Sequence, residues 1–151
     1  MAIVIAGLVV AGVTAFPLET ELRWVAKWFT ADNYIGRWFW NVNTAIQETN
    51  QQYPFLAYGT DWLAFAHLVI AIVFIGPLRD PVRNKWVIQF GLIACAAIVP
   101  LAFIAGEVRG IPVFWRLVDT SFGVVAAMPL WIALRAVLNI ERLKHPYPQF
   151  A

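Results

Sequence analysis

Apolar residues run along this chain in four long stretches, and between the first two lies a segment where polar and aromatic residues recur at helical spacing. Met1 to Pro17 (MAIVIAGLVVAGVTAFP) carries no charged side chain. It is short for a membrane span but near the lower limit of about 17 residues. A secretory signal peptide is the rival reading, because Val13-Thr14-Ala15 resembles a cleavage site, although the basic start of such a peptide is missing. The second stretch, Pro54 to Leu78, holds Asp61 and His67 as its titratable groups and predicts a helix from about Gly59 to Gly76. Trp86 to Gly106 is uncharged and about one bilayer crossing long, with Pro100 as a bend. The fourth helix is expected from Val113 to about Val137, with Asp119 in its first third and Pro129 as a kink. The expected spans are therefore 2–17, 59–76, 86–106 and 113–137.

The segment 18–52 is too polar to span and too aromatic for a free linker. Leu22, Trp24, Val25, Trp28 and Phe29 recur at helical spacing, as do Ile35, Trp38, Phe39, Val42, Ala45 and Ile46. Two amphipathic helices lying on the outer membrane surface account for this pattern. Trp62 and Trp115 extend the same interfacial belt, and Asn41, Asn43, Asn50, Gln51 and Gln52 are expected to face water.

Composition supports this picture. The 151 residues are 61% hydrophobic and 13% charged, against about 25% charged in a soluble domain. Too few polar side chains exist to coat a water-soluble globule, and a bilayer supplies the missing apolar solvent. The expectation is an all-α protein: a four-helix transmembrane bundle with amphipathic interfacial helices between its first and second spans, in a single domain. A formal net charge of +2 without a basic run excludes nucleic acid as a partner. The lone Cys95 excludes an intrachain disulfide, and among Ala94, Ala96 and Ala97 it reads as a small packed residue.

Charge also orients the spans. The turn Gly76–Lys85 carries Arg79, Arg83 and Lys85 against Asp80, and the C-terminal tail carries Arg135, Arg142 and Lys144 against Glu141. Both belong on one side of a four-span protein, and the positive-inside bias makes that side cytoplasmic. Both termini are then cytoplasmic, in a bacterial inner membrane, while Glu19, Glu21, Asp32, Glu48, Asp61, Glu107 and Asp119 fall toward the outside. Pro77 is expected to stop the second span and Pro81 to start the approach to the third. Arg79, Asp80 and Arg83 would pair with one another or with lipid phosphates.

An ionisable side chain inside hydrocarbon is costly and marks a partner, a cavity or a site. His67 and Asp119 are such residues. Each lies six residues beyond an outer helix end, at Asp61 and Val113, which is a depth of about 9 Å at about 1.5 Å per residue. Thr60, Ala64, His67 and Ala71 share one helix face; Arg116, Asp119, Thr120, Gly123 and Ala127 share another. Gly7, Ala11 and Ala15 form a third small-residue stripe of the kind that close membrane-helix contacts use. His67 and Asp119 are expected to face each other, with Arg116 as the competing partner of Asp119, and Glu107 and Arg109 at the mouth. The candidate ligand-binding set is His67, Asp119, Arg116, Asp61, Glu107 and Arg109; the candidate catalytic pair is His67 and Asp119.

Three readings of this cluster stay open. It is a polar clamp that sets helix register; or a site for a lipid-like small molecule, with His67 as hydrogen-bond donor or acid/base and Asp119 fixing its tautomer; or a proton or ion path. The path needs polar groups deeper in the bundle, where Gln89 stands alone. A haem finds no second histidine, because His145 lies in the tail, and His67, Asp119 and Asp61 make a poor zinc set. No metal or cofactor is expected. The expected partners are the bilayer, a lipid-like molecule, and a membrane partner or a second copy of the chain.

The phrases AFPLETEL, YPFLAYGTDWLAFAH, FIGPLRDPVRN and RGIPVFWRLVDTSFG resemble, as a set, a group of small bacterial four-helix membrane proteins with no known activity, over most of the chain from Ala15 onward. In layout alone the chain is also similar to the emopamil-binding and sigma-2-receptor type of membrane protein. The family layout implies a greasy ligand between helices and transfers no residue role.

Overall fold

The computed structural model describes residues 1–144, and all of its regular structure there is helical. The helices are α1 (Ala2–Ala15), α2 (Leu18–Ala26), α3 (Tyr34–Gln52), α4 (Tyr58–Val73), α5 (Ile75–Arg79), α6 (Lys85–Val108) and α7 (Val113–Lys144), with a 3-10 turn at Pro54–Ala57 before α4. Three stretches are long and apolar enough to cross a membrane: Pro54–Arg79, Lys85–Val108 and Val113–Leu143. A fourth candidate arises only if α1 and α2, bent by 88° to each other, count as one broken span. The 14 residues of α1 reach about 21 Å at about 1.5 Å per residue, short of a hydrocarbon core of about 30 Å. Only about a fifth of each long span is buried within the protein, so most of its apolar surface is left for lipid.

Prolines explain the breaks, and one of them corrects the sequence reading. Pro17 lacks the N–H that would continue α1, and the chain turns there into α2. Pro77 does not stop the second span. It lies buried inside α5, and the break comes at Phe74, between α4 and α5. A proline ring crowds the carbonyl four residues earlier, here that of Val73, so the helix opens upstream of the proline and resumes. Pro100 and Pro129 lie within the continuous helices α6 and α7. Helix α7 outruns its expected end at Val137, so Arg135, Glu141 and Arg142 belong to a helix rather than a loose tail. His145 lies outside the described residues.

The chain divides into two compact units, one made of Met1–Ala6 with the chain from Ala71 onward, the other of Gly7–Ile70. In the first, α6 and α7 form an antiparallel hairpin. Arg116, Gly123, Leu130 and Val137 are buried at seven-residue spacing along α7, a period that keeps one face turned to a neighbouring helix. Small residues let the two helices close in: a Cβ on Gly123 would sit 3.0 Å from the Cys95 carbonyl oxygen. Phe74, Val87, Ile88 and Leu130 fill the other end. Lys85 Nζ donates to both carboxylate oxygens of Glu141 at 2.7 Å, tying the start of α6 to the end of α7. The 80–84 turn and the end of α7 thus share one end of the hairpin. Within that turn Asp80 pairs with neither Arg79 nor Arg83 as a salt bridge. It accepts from the Arg83 backbone N–H at 3.0 Å and caps the turn.

In the second unit α2 packs on α3, and α3 on the 3-10 turn. Asn33 caps α3 by accepting from the Gly36 N–H at 2.7 Å. Phe29 stacks on Phe39 with centroids 4.4 Å apart. Trp24 and Trp28 point outward, 61% and 72% exposed, so they lie off the packed face of α2. Two expected water-facing positions turn inward: Asn43 is 7% exposed, and Asn50 is half-buried. The inner face of α3 carries these amides because each has a polar neighbour: Gln47 donates to Asn43 at 3.4 Å and Asn50 donates to Glu19 at 2.8 Å. On α1 the small-residue contact is made by Gly12, whose Cβ would fall 2.9 Å from the Ala64 carbonyl oxygen, while Gly7 and Ala11 are exposed.

Candidate functional site

Helix α4 carries Asp61 and His67, and its inward face is the one expected from sequence. Ala64 is fully buried, Ala71 is 3% exposed, and Thr60 and His67 are half-buried beside them. His67 Nδ1 lies 2.8 Å from the Leu63 carbonyl oxygen one turn earlier. A carbonyl oxygen only accepts, so Nδ1 carries the proton and Nε2 holds the lone pair in the neutral ring. The helix backbone thereby favours this tautomer.

Asp119 belongs to the other unit. It is half-buried on α7, and within its own unit it has no ion-pair partner among the described residues. Its neighbours are self-contained: Thr120 donates to the Arg116 carbonyl at 2.6 Å and Ser121 to that of Val118 at 2.6 Å.

Arg116 does not serve as the partner of Asp119. Its Nη1 donates to Glu107 Oε2 at 2.6 Å and its Nε to the Ile111 carbonyl at 2.7 Å. The local sequence explains the geometry. Gly110 adopts φ 65°, the left-handed conformation that ends α6. The Ile111 N–H then reaches back to the Gly106 carbonyl at 2.8 Å and the Gly110 N–H to that of Glu107 at 3.1 Å, a Schellman close. Arg116 packs its stem on Gly106 and closes the same turn from α7, with its side chain 10% exposed against 77% for Glu107. Arg109, the C-cap of α6, is exposed. Glu107 and Arg116 therefore staple the α6–α7 turn.

The second unit holds what the sequence reading missed. A cleft of about 420 Å³ is bounded by the end of α1, the start of α2, the later turns of α3, the 3-10 turn and the start of α4. Its apolar lining includes Phe16, Leu18, Ile46 and Leu56; its polar lining includes Glu19, Thr49, Asn50, Thr60 and Asp61. An adjoining cleft of about 330 Å³ shares Phe16 and Asp61 and adds Tyr58, Trp62 and Phe65. Neither includes His67 in its lining. The volumes fall in the range of about 300–1,000 Å³ typical of small-molecule sites.

Electrostatics differ between the two acids of the cleft. Asn50 donates to Glu19 at 2.8 Å and Arg23 at 2.6 Å. The Asn50 bond, more than the Arg23 charge, holds the Glu19 carboxyl below its ordinary range. Asp61 has no hydrogen bond or ion pair from its side chain among the described residues, yet it lines both clefts. Of the six expected ligand-binding residues, Asp61 is the one in the lining of these two clefts. Nothing in residue spacing signals that Glu19 and Asn50, so far apart in the chain, come together.

Comparison with protein-family models, curated proteins and solved structures finds no match to this chain.

Proposed function

We propose that this is a multi-pass membrane protein that holds a lipid-like small molecule in the Asp61 cleft of the Gly7–Ile70 unit, near the outer leaflet. The observation that carries the reading is the cleft itself, which combines apolar walls with polar groups and continues past Asp61 into an aromatic groove. Such a division suits an amphiphile, whose polar head and hydrocarbon tail need different surroundings.

The membrane arrangement belongs to the same proposal. The chain forms a four-helix bundle in a bacterial inner membrane, with α1 completing its crossing through the bend into α2 and with the rest of α2 and α3 on the outer surface. The exposed Trp24 and Trp28 support an interfacial seat for α2. The basic residues Arg79, Arg83, Arg135 and Arg142, on the segments that Lys85 and Glu141 tie together, support a cytoplasmic position for that end. The protein acts as a binding or accessory protein, with the bilayer and its ligand as partners.

The test is to fill the cleft. Protein extracted mildly in native lipid is analysed for a retained amphiphile by mass spectrometry, beside an Ala57→Trp variant. Retention by the wild type, and its loss in a variant with unchanged helicity, is the expected result. An amphiphile retained equally by both would refute the site.

A further inference from the structure

We infer that the Asp61 cleft selects amphiphiles with a cationic head, an alkylammonium or an amine-bearing lipid headgroup, over neutral or anionic ones with the same tail. The inference rests on the proposed function, because it names the head of the molecule held there.

Three observations carry it. First, Asp61 is half-buried at the larger cleft, borders the second without presenting polar surface to it, and has no hydrogen-bond or ion-pair partner among the described residues. A carboxylate at an apolar site without a counter-charge is completed by a cation. Second, the lining of both clefts contains acids, amides, hydroxyls and rings, but no lysine or arginine. Glu19 is the other acid, and its charge is already matched by Arg23 at 2.6 Å and by the Asn50 amide. An anionic head placed in the larger cleft meets the unpaired Asp61 and no cation in the lining. Third, Asp61 stands beside aromatic rings. Trp62 packs edge-on against Tyr58 and Phe65 with centroid separations of 5.9 Å each, and Phe16 also lines the groove. Aromatic faces attract ammonium groups, and best where water is thin. The rings also give the tail an apolar exit from the carboxylate.

A neutral head gains none of the Coulomb or ring–cation attraction. An exposed ion pair and one cation–π contact together favour the cation by about tenfold in affinity.

The experiment uses the full chain in nanodiscs of neutral lipid and two photoreactive probes with one diazirine-bearing alkyl tail. One probe ends in trimethylammonium and the other in a hydroxyl. Labelling of residues 56–65 is quantified by mass spectrometry and normalised to the lipid-facing residues 99–104, which corrects for partition into the bilayer. The expected result is about tenfold preferential labelling by the cationic probe in the wild type. Asp61→Asn brings the ratio near one, and Asp61→Glu keeps the preference. Equal labelling by both heads in the wild type overturns the cation inference while leaving the amphiphile site standing. Absence of cleft labelling by either probe overturns both. An Asp61→Asn protein that keeps the full preference also sinks the inference, because the carboxylate is then not its source.

Discussion

Arg116 lays its aliphatic stem across Gly106 and donates to Glu107 Oε2 at 2.6 Å, so one side chain from α7 closes the end of α6. A Cβ on residue 106 would lie 2.9 Å from Arg116 Cδ. Gly106→Ala is therefore expected to lower stability by about 1–3 kcal/mol through overpacking. Glu107→Gln, at an exposed carboxylate, costs at most about 1 kcal/mol. Thermal unfolding in detergent, followed by circular dichroism, checks both, and a Glu107→Gln loss as large as that of Gly106→Ala would contradict the packing argument.

Two glycines of α1 behave oppositely. Gly7 has open space where a Cβ would go, whereas Gly12 faces the Ala64 carbonyl and the Leu68 side chain at 2.9–3.0 Å. Gly7→Ala is expected to leave stability unchanged or raise it by up to about 1 kcal/mol through helix propensity. Gly12→Val is expected to cost about 1–3 kcal/mol. Equal melting temperatures for the two variants would mean that α1 does not meet α4 through Gly12.

Glu19 links α2 to α3 through Asn50, and its carboxyl is held below its ordinary value of 4.5. A carboxyl depressed in the folded state stabilises the fold above its unfolded value and ceases to do so as pH falls through the folded one. Stability of wild-type protein is expected to drop as pH falls below 4.5, more steeply than that of Glu19→Gln. Melting temperatures of the two proteins across that range provide the measurement, and parallel curves would remove Glu19 as the cause.

Lys85 and Glu141 join the start of α6 to the end of α7 at one end of the hairpin, each about a third exposed. Their coupling in a double-mutant cycle is expected to be about 0.5–1 kcal/mol, reduced by salt. The proposed topology places this end in the cytoplasm, so a cysteine at Asn84 is expected to resist a membrane-impermeant label applied to intact cells. Ready labelling from outside would reverse the orientation.

His67→Ala removes a bond to its own helix backbone, the 2.8 Å contact with Leu63. The expected outcome is a folded protein that still labels at Asp61 with the cationic probe, with a stability change of about 1 kcal/mol or less. Loss of labelling would return His67 to the binding site.

The helical class and the long apolar stretches were legible because bilayer-length apolar runs and helical periodicity are local properties of the chain. Faces were partly legible for the same reason. The Ala64–His67–Ala71 stripe of α4 and the Arg116–Gly123 stripe of α7 both turn inward as their spacing requires. The stripe on α1 was misread, because Gly7 and Gly12 are equally small and only the neighbouring helix distinguishes them.

What tertiary structure decided is pairing. Asn50 appears in a polar run and reads as solvated, yet it meets Glu19 from a different helix. Arg116 stands one turn from Asp119 in sequence, but the Gly110 turn brings Glu107 and the Ile111 carbonyl to it instead. Asp61, expected in one ligand-binding set with His67 and Asp119, lies at a cleft because residues as distant as Phe16 and Thr49 converge on it. Periodicity specifies which side of a helix is apolar. Which partner a polar side chain finds depends on helix ends, turns and crossings that place distant residues within hydrogen-bond reach, and these are set by packing across the whole unit.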